Sequence, residues 1–416
     1  MKILIAAGSY YNKNIPKFTK NKTGLGMMIK DILDYSSKHN DVYFLSKVIT
    51  KKHIVKTCWS SYTILQHTIL DIIFSIKPKD FLEASKMFFR YSQPIYKRLK
   101  FFYYFIDKGV IRNKISSLNP DLVHIHGISY STLSYIEICN ELSVPYILTL
   151  HGVVGTNESL NIPFFEKNIE RTVLRMCQQN NIPVTMVSSG CKKDVIYNYS
   201  LKGENISVIL NGTNTEHNNE DYNEILYKKY EKYFNSNKKI ITVVGNIYDG
   251  KNQLQIVEAW EKLNENEKNE IVIFFIGNVL DDGKLASRIN ELKANYNLII
   301  CGFIENNNLN IFYNNANLNV VASNSEGFGL SIIEAYSYGV PTAIFYDLDA
   351  VEDLYDKDSM IKIEKRTTEA LSEGIFEGVR KVWDKEHIKK HGQKFSLDEM
   401  SKNYQLLYER VGKIHD

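Results

Sequence analysis

At 416 residues and 48.1 kDa the chain exceeds one ordinary hydrophobic core, and the usual ~100–200 residues per domain predict two domains or three. Its 44% hydrophobic and 24% charged residues, with 22 Gly and 8 Pro, exclude a disordered or collagen-like chain. Lys and Arg number 51 against 48 Asp and Glu, and a formal charge of +3 argues against nucleic acid as a partner.

The N-terminal run Lys2-Ile3-Leu4-Ile5-Ala6-Ala7 stops at Gly8-Ser9-Tyr10-Tyr11, before the apolar length and cleavage site of an export signal, so a strand is expected there. Further β-branched runs predict strands at 41–45, 122–126, 146–150 and 185–188. A second series follows at 240–245, 271–277, 298–302, 318–322 and 341–345. Helical periods separate them, the pattern of βαβ units around parallel sheets. Two sets of five strands predict two doubly wound α/β domains, Rossmann-like, facing a cleft at the carboxyl ends of their strands. The polar stretch 211–239, with Asn211-Gly212 and Asn218-Asn219-Glu220-Asp221, suits a linker and the helix after it. No segment has the roughly 18 uninterrupted apolar residues of a spanning helix, so any membrane attachment is expected to be peripheral. Cys58, Cys139, Cys177, Cys191 and Cys301 are odd in number and scattered, and read as reduced thiols of a cytoplasmic protein.

The most informative segment runs from Ser323 to Pro341: Ser-Asn-Ser-Glu-Gly-Phe-Gly-Leu-Ser-Ile-Ile-Glu-Ala-Tyr-Ser-Tyr-Gly-Val-Pro. It follows a strand and opens a helix. Gly327 and Gly329 allow close backbone approach, and the first amides of the helix are donors reinforced by its dipole, an arrangement that binds phosphate. Glu326 precedes the helix and Glu334 lies one to two turns inside it, so two carboxylates can reach groups on either side of a diphosphate. Eight-residue spacing alone also fits two unrelated surface acids; the Gly-Phe-Gly between them and the closing Gly339-Val340-Pro341 point to a site.

This segment resembles the Glu-x7-Glu motif of the family 4 retaining glycosyltransferases, which have the two-domain GT-B fold and use nucleotide-activated sugars. Other elements arrive in that family's order: Thr23-Gly24-Leu25-Gly26, Asp121 to Gly127, Thr149-Leu150-His151-Gly152, Val208 to Gly212, Val244-Gly245 with Lys251, and the closing Phe395-Ser396 and Tyr404 to Tyr408. The resemblance implies an N-terminal acceptor-side domain over 1–212, a nucleotide-sugar domain over 213–395, and a helix over 396–416 returning to the first domain. It assigns Glu334 to the donor ribose, Glu326 to the transferred sugar, and the amides of Phe328, Gly329 and Leu330 to sugar and diphosphate. Lys251 would offset charge on the leaving diphosphate, with Gly245 and residue 246 beside it. The family usually has arginine at that last position and this chain has Asn246, two neutral donors in place of a charged fork. Gly24 and Gly26 would bring the first domain's backbone to the diphosphate, Phe303 and Ile304 would hold the base, and His151 would stand near the reacting sugar.

Several features carry more ordinary readings beside these. His124 and His126 alternate on one strand face; His124 reads as a satisfied core imidazole and His126 as the one nearer the cleft. Gly24-Leu25-Gly26 is no dinucleotide fingerprint, which lowers an oxidoreductase reading. Asp347-Leu348-Asp349 and Asp356-Lys357-Asp358 read as solvated loops, and no metal or other cofactor is expected. Residues 87–104 interleave aromatics with Lys and Arg, suiting either a half-buried helix or a peripheral membrane contact with a lipid-linked acceptor. The expected partners are therefore a nucleotide-sugar donor and a sugar or lipid-linked acceptor, in bacterial surface polysaccharide or glycolipid assembly. The rival expectations are a sugar-nucleotide-binding protein with weakened catalysis and a membrane interaction module.

Overall fold

The computed structural model describes residues 1–20, 23–45, 51–90, 94–96, 98–99, 102, 107–153, 155, 164–216 and 223–412. The chain divides into two compact units: 1–187 with 191–210 and 398–416, and 188–190 with 211–397. Each is an α/β unit built on one sheet.

The first sheet has eight strands: β1 (Lys2–Ala7), β2 (Asp41–Leu45), β3 (His53–Lys56), β4 (Ser61–Ile64), β5 (Leu122–His126), β6 (Tyr146–Leu150), β7 (Val184–Met186) and β8 (Ile206–Val208). They lie in the order β3-β4-β2-β1-β5-β6-β7-β8, parallel except where β3 turns back on β4. The central strands are apolar on both faces because helices cover both: Ile3, Leu4, Ile5, Leu122, Val123, Ile147 and Leu148 are fully buried. The five expected strands are there, and β3, β4 and β8 are additions. β3 reads His-Ile-Val-Lys with alternate residues exposed, an edge pattern whose partner strand turns antiparallel, and β8 is three residues long. Neither has the continuous apolar run on which the strand assignment rested.

The second sheet has β9 (Lys239–Val244), β10 (Ile271–Ile276), β11 (Leu298–Gly302), β12 (Leu318–Val321), β13 (Thr342–Phe345) and β14 (Met360–Ile363) in the order β11-β10-β9-β12-β13-β14, all parallel. β14 is the strand not expected from the sequence. The helix Glu224–Phe234, the helix expected after the linker in 211–239, lays Tyr230 and Phe234 against Phe274 of β10 and Phe312, with ring centroids 5.3–5.9 Å apart. Offset and edge contacts of this kind are worth about 0.5–1.5 kcal/mol per pair beyond burial. They make that helix part of the unit's core.

The last helix, Leu397–Gly412, belongs to the first unit from Asp398 onward. Its Tyr404 and Tyr408 are buried, and Tyr408 Oη lies 2.8 Å from His124 Nδ1. No helix among the described residues is long and apolar enough to cross a membrane.

Candidate functional site

In the second unit the carboxyl ends of β9 and β12 carry two loops that are bonded together. After β9, Gly245 N–H donates to Ile276 O at 2.9 Å, and the chain turns through Asn246 to the 3-10 turn Asp249–Lys251. After β12, the loop 322–329 leads into the helix Leu330–Ser337. Asn324 N–H donates to Gly250 O at 2.9 Å, and Asn324 Nδ2 to Asp249 O at 3.2 Å. These bonds fix one loop against the other and bring Lys251 and Glu326, 75 residues apart, into an ion pair. Both side chains are largely buried, 25% and 15% exposed. Burial alone would push the Lys251 ammonium down; the charge and hydrogen bond of Glu326 reverse this and hold it above the usual lysine value. Ser323 Oγ donates to the same carboxylate at 3.2 Å.

Gly329 caps the helix in the left-handed region at φ +84°, a conformation a side chain resists. Phe328 before it is buried and meets Phe395 edge-on. The amides from Leu330 onward open the helix beside Glu326 of the Lys251–Glu326 pair, and such an end is suited to an anion. Glu334, in the second turn, is half-buried and accepts from Tyr313 Oη at 3.4 Å. Burial, with this carboxylate beside it, raises the Tyr313 phenol well above its usual value, so Tyr313 stays a donor.

Asn246 offers no charge. Its Oδ1 accepts from Asn278 Nδ2 at 3.1 Å, and its carbonyl accepts from Gln253 Nε2 at 3.0 Å. The guanidinium bonded to the β12 loop comes instead from Arg366, which no motif had singled out. It follows β14, donates from Nη1 to Ser323 O at 3.1 Å, and is gripped through Nε by Asp347 at 2.7 and 3.0 Å. Lying 43 residues from Ser323, in an unremarkable loop, it had no sequence signal. Phe303 and Ile304 follow β11; Ile304 packs against the Tyr230–Phe274 cluster, and Phe303 is half-buried. Asp347 is thus paired with Arg366, while Asp356 and Asp358 stand with His387 at metal-ligand distances, largely exposed.

In the first unit, Gly24 and Gly26 begin the helix Gly24–Ser36. Thr23 Oγ1 already accepts from Gly26 N–H at 3.1 Å, so one of the amides meant for an anion is occupied. At the carboxyl ends of β5 and β6 three histidines meet. His124 is satisfied on both sides, by Tyr408 Oη at 2.8 Å and Thr149 Oγ1 at 2.7 Å. His126 lies 3.8 Å from it between ring centroids, tilted by 38°; it stacks on His151 and bonds through Nδ1 to His151 Nε2 at 3.0 Å, while its own Nε2 is buried without a hydrogen-bond partner among the described residues. Sequence reasoning selected His151 and His126 but had no means of pairing them. In the basic-aromatic stretch, Tyr91, Lys97, Lys100, Phe101, Tyr103 and Tyr104 and the side chains of Met87 and Arg90 lie outside the described residues.

Burial pushes all three imidazoles below the usual histidine value, His151 to about 4. Below pH about 6.5 the unfolded chain takes up protons that the folded rings refuse. Each ring's contribution is therefore present above that pH and lost as pH falls, at up to about 1.4 kcal/mol per pH unit. Thermal melts should show the Tm falling from about pH 7 to about pH 5. His126→Phe should flatten that slope whatever its Tm at neutral pH; an unchanged slope would mean that His126 does not resist protonation.

Residues 72–217 match the family described as Glycosyltransferase Family 4, and residues 228–393 match Glycosyl transferases group 1. The chain is 26% identical over 265 residues to TuaC of Bacillus subtilis, named as a glycosyltransferase of teichuronic acid biosynthesis, covering 63% of this chain and 62% of that one. It thus spans less than two thirds of that relative's length. It is also 26% identical over 334 residues to the glycosyltransferase MJ1178 of Methanocaldococcus jannaschii, covering 78% of this chain and 85% of the other. Among solved structures it resembles a glycosyltransferase from Rickettsia africae (TM-score 0.67, 18% identity, 98% of both chains). It also resembles Anabaena HepE in complex with UDP and glucose (TM-score 0.67, 12% identity, 99% of this chain and 100% of that one). At such identities the likeness is one of fold, two parallel-sheet α/β units of the GT-B type.

Proposed function

We propose that this chain, of GT-B fold and matched in both halves by glycosyltransferase families, is a retaining glycosyltransferase moving a sugar from a nucleoside-diphosphate sugar to an acceptor hydroxyl. The observation that carries the reading is the Lys251–Glu326 pair beside the open end of the helix Leu330–Ser337, with Glu334 in its second turn. An anion at that end gains helix amides and an ammonium together. Glu334, with two accepting oxygens, takes the ribose hydroxyls, and Glu326 a hydroxyl of the transferred sugar.

In the step proposed, the bond from the anomeric carbon to the diphosphate oxygen breaks and the acceptor oxygen bonds that carbon on the same face. The acceptor's proton passes to the departing phosphate oxygen, and the nucleoside diphosphate leaves. Lys251 and the amides of Gly329 and Leu330 stabilise the charge that develops there. No metal is proposed for the step. HepE, solved with UDP and glucose, supports a nucleotide-sugar donor, and TuaC's assignment supports polysaccharide assembly as the context.

Asn246 favours a second reading, in which the donor is bound and not turned over; against it, Arg366, bonded to Ser323 O and to Asp347, is the cation we propose as compensating. One experiment separates them. A panel of nucleotide sugars is scored by thermal shift and by donor consumption, with the native chain beside Glu334→Ala. A donor at about 100 times its Kd adds about 2.7 kcal/mol, several degrees in Tm, to the native chain and little to the variant. A shift without turnover selects the binding-only reading; no shift with any donor defeats both.

A further inference from the structure

Among the described residues, 24 large apolar side chains are exposed, and ten of them fall between Ile69 and Leu99 in the first unit. The helix Ile69–Ser75 turns Ile72 inward and presents Ile69, Leu70, Ile73 and Phe74 to solvent, Phe74 at 84% exposure. That i, i+1, i+4, i+5 spacing is one stripe of a helix. The next helix, Pro78–Arg90, is held from its inner side, where Asp80 accepts from Arg112 at 2.9 Å and Ala84 is fully buried. Its outer side carries Phe81, Leu82 and Phe89, and Ile95, Tyr96 and Leu99 continue the exposed apolar series.

Charge follows the same division. Residues 69–100 hold seven Lys and Arg against three Asp and Glu, a larger excess than the whole chain's +3. The three acids are engaged within the unit: Asp71 caps its helix with Thr68, Asp80 holds Arg112, and Glu83 holds Lys108. Lys79 and Lys86 flank the apolar stripe and are exposed, as is Lys77 between the two helices.

An apolar stripe edged by lysines, with its acids turned inward, fits a bilayer interface: rings and aliphatic chains enter the acyl boundary while ammonium groups reach anionic headgroups. A second copy fits worse, because a two-fold interface would set one lysine-edged stripe against another. We propose that the outer face of the helices Ile69–Ser75 and Pro78–Arg90, with the exposed Ile95, Tyr96 and Leu99, docks this chain on an anionic lipid surface. This goes beyond the transfer reaction and stands without it.

The test uses the full chain with two kinds of vesicle at about 0.1 M salt: phosphatidylcholine alone, and phosphatidylcholine with about a third phosphatidylglycerol. Flotation should show binding to the anionic vesicles at least about tenfold tighter than to the neutral ones, largely lost at about 1 M salt. Phe74→Ser with Phe89→Ser, and separately Lys79→Glu with Lys86→Glu, should each weaken it about tenfold or more. All four residues are exposed, so the melting temperature should stay within about a degree of native, which distinguishes lost docking from lost folding. Absence of binding to the anionic vesicles, or binding that both double variants retain, overturns the proposal. So does a dimer in solution that Phe74→Ser with Phe89→Ser dissociates, since the face would then be a subunit interface.

Discussion

Lys251→Met should lower sugar transfer about 10²–10³-fold, the usual loss when one donor that stabilises developing charge is removed. Its ammonium is paired with Glu326, above its ordinary pKa, beside the start of the helix Leu330–Ser337. It is therefore fully charged at neutral pH. The cost in stability should reach about 3 kcal/mol, because the substitution leaves the largely buried Glu326 carboxylate without its counter-charge; the rate is therefore read at a temperature well below the variant's Tm. Glu326→Gln should also slow transfer, yet bind nucleoside diphosphate at least as tightly as the native chain, because one negative charge leaves the anion site. Initial rates of donor consumption, with diphosphate titrations beside them, measure both. A Lys251→Met rate within about threefold of native would remove the lysine from the mechanism.

The second large effect is expected at Gly277, the residue after β10. A Cβ there would stand 2.0 Å from Gly245 O, 2.5 Å from Gly245 C and 2.9 Å from Asn246 N. All three are backbone atoms, and the loop they belong to is held by Gly245 N–H on Ile276 O and by Ile247 N–H on Asn278 O at 2.8 Å. No side chain can swing aside, so Gly277→Ala must displace the Gly245–Asn246 segment itself. Overpacking of this kind costs about 3 kcal/mol, roughly 6–12 °C in the Tm of a unit this size. Gly283→Ala is the control. Its Cβ meets nothing within 4 Å, so only its left-handed φ of +83° opposes the change, at about 1 kcal/mol. Calorimetry on the two variants, followed by the donor thermal shift, should show Gly277→Ala losing stability and donor response together. Equal melting temperatures would mean that the β9–β10 approach is softer than its contacts require.

Ten of the fourteen strands among the described residues were legible in the sequence because a strand covered on both faces must be apolar on both, as in Ile271–Ile276. The glycine-led helix start after β12 and the placing of Glu326 before it and Glu334 inside it are likewise local facts, readable from the order of residues. The strands that escaped notice, His53–Lys56 and Ile206–Val208 among them, are edges or very short, where burial is one-sided and the apolar signal fades. What joins distant residues depended on sheet order instead. β9 lies between β10 and β12, so Lys251 meets Glu326 and Asn246 meets Asn278. β5 lies beside β6, so His126 meets His151; β14 closes the sheet's edge, so Arg366 reaches Ser323. The apolar stripe of Ile69–Ser75 has the same origin. Its composition is that of a core helix, and it is left exposed because one turn of it, at Ile72, packs inward while the remainder faces outward. Periodicity assigns an element and its faces, since those depend on neighbours in the chain. Which face is covered, and which loops share a site, depends on contacts between residues far apart in the chain, which are settled when the sheets assemble.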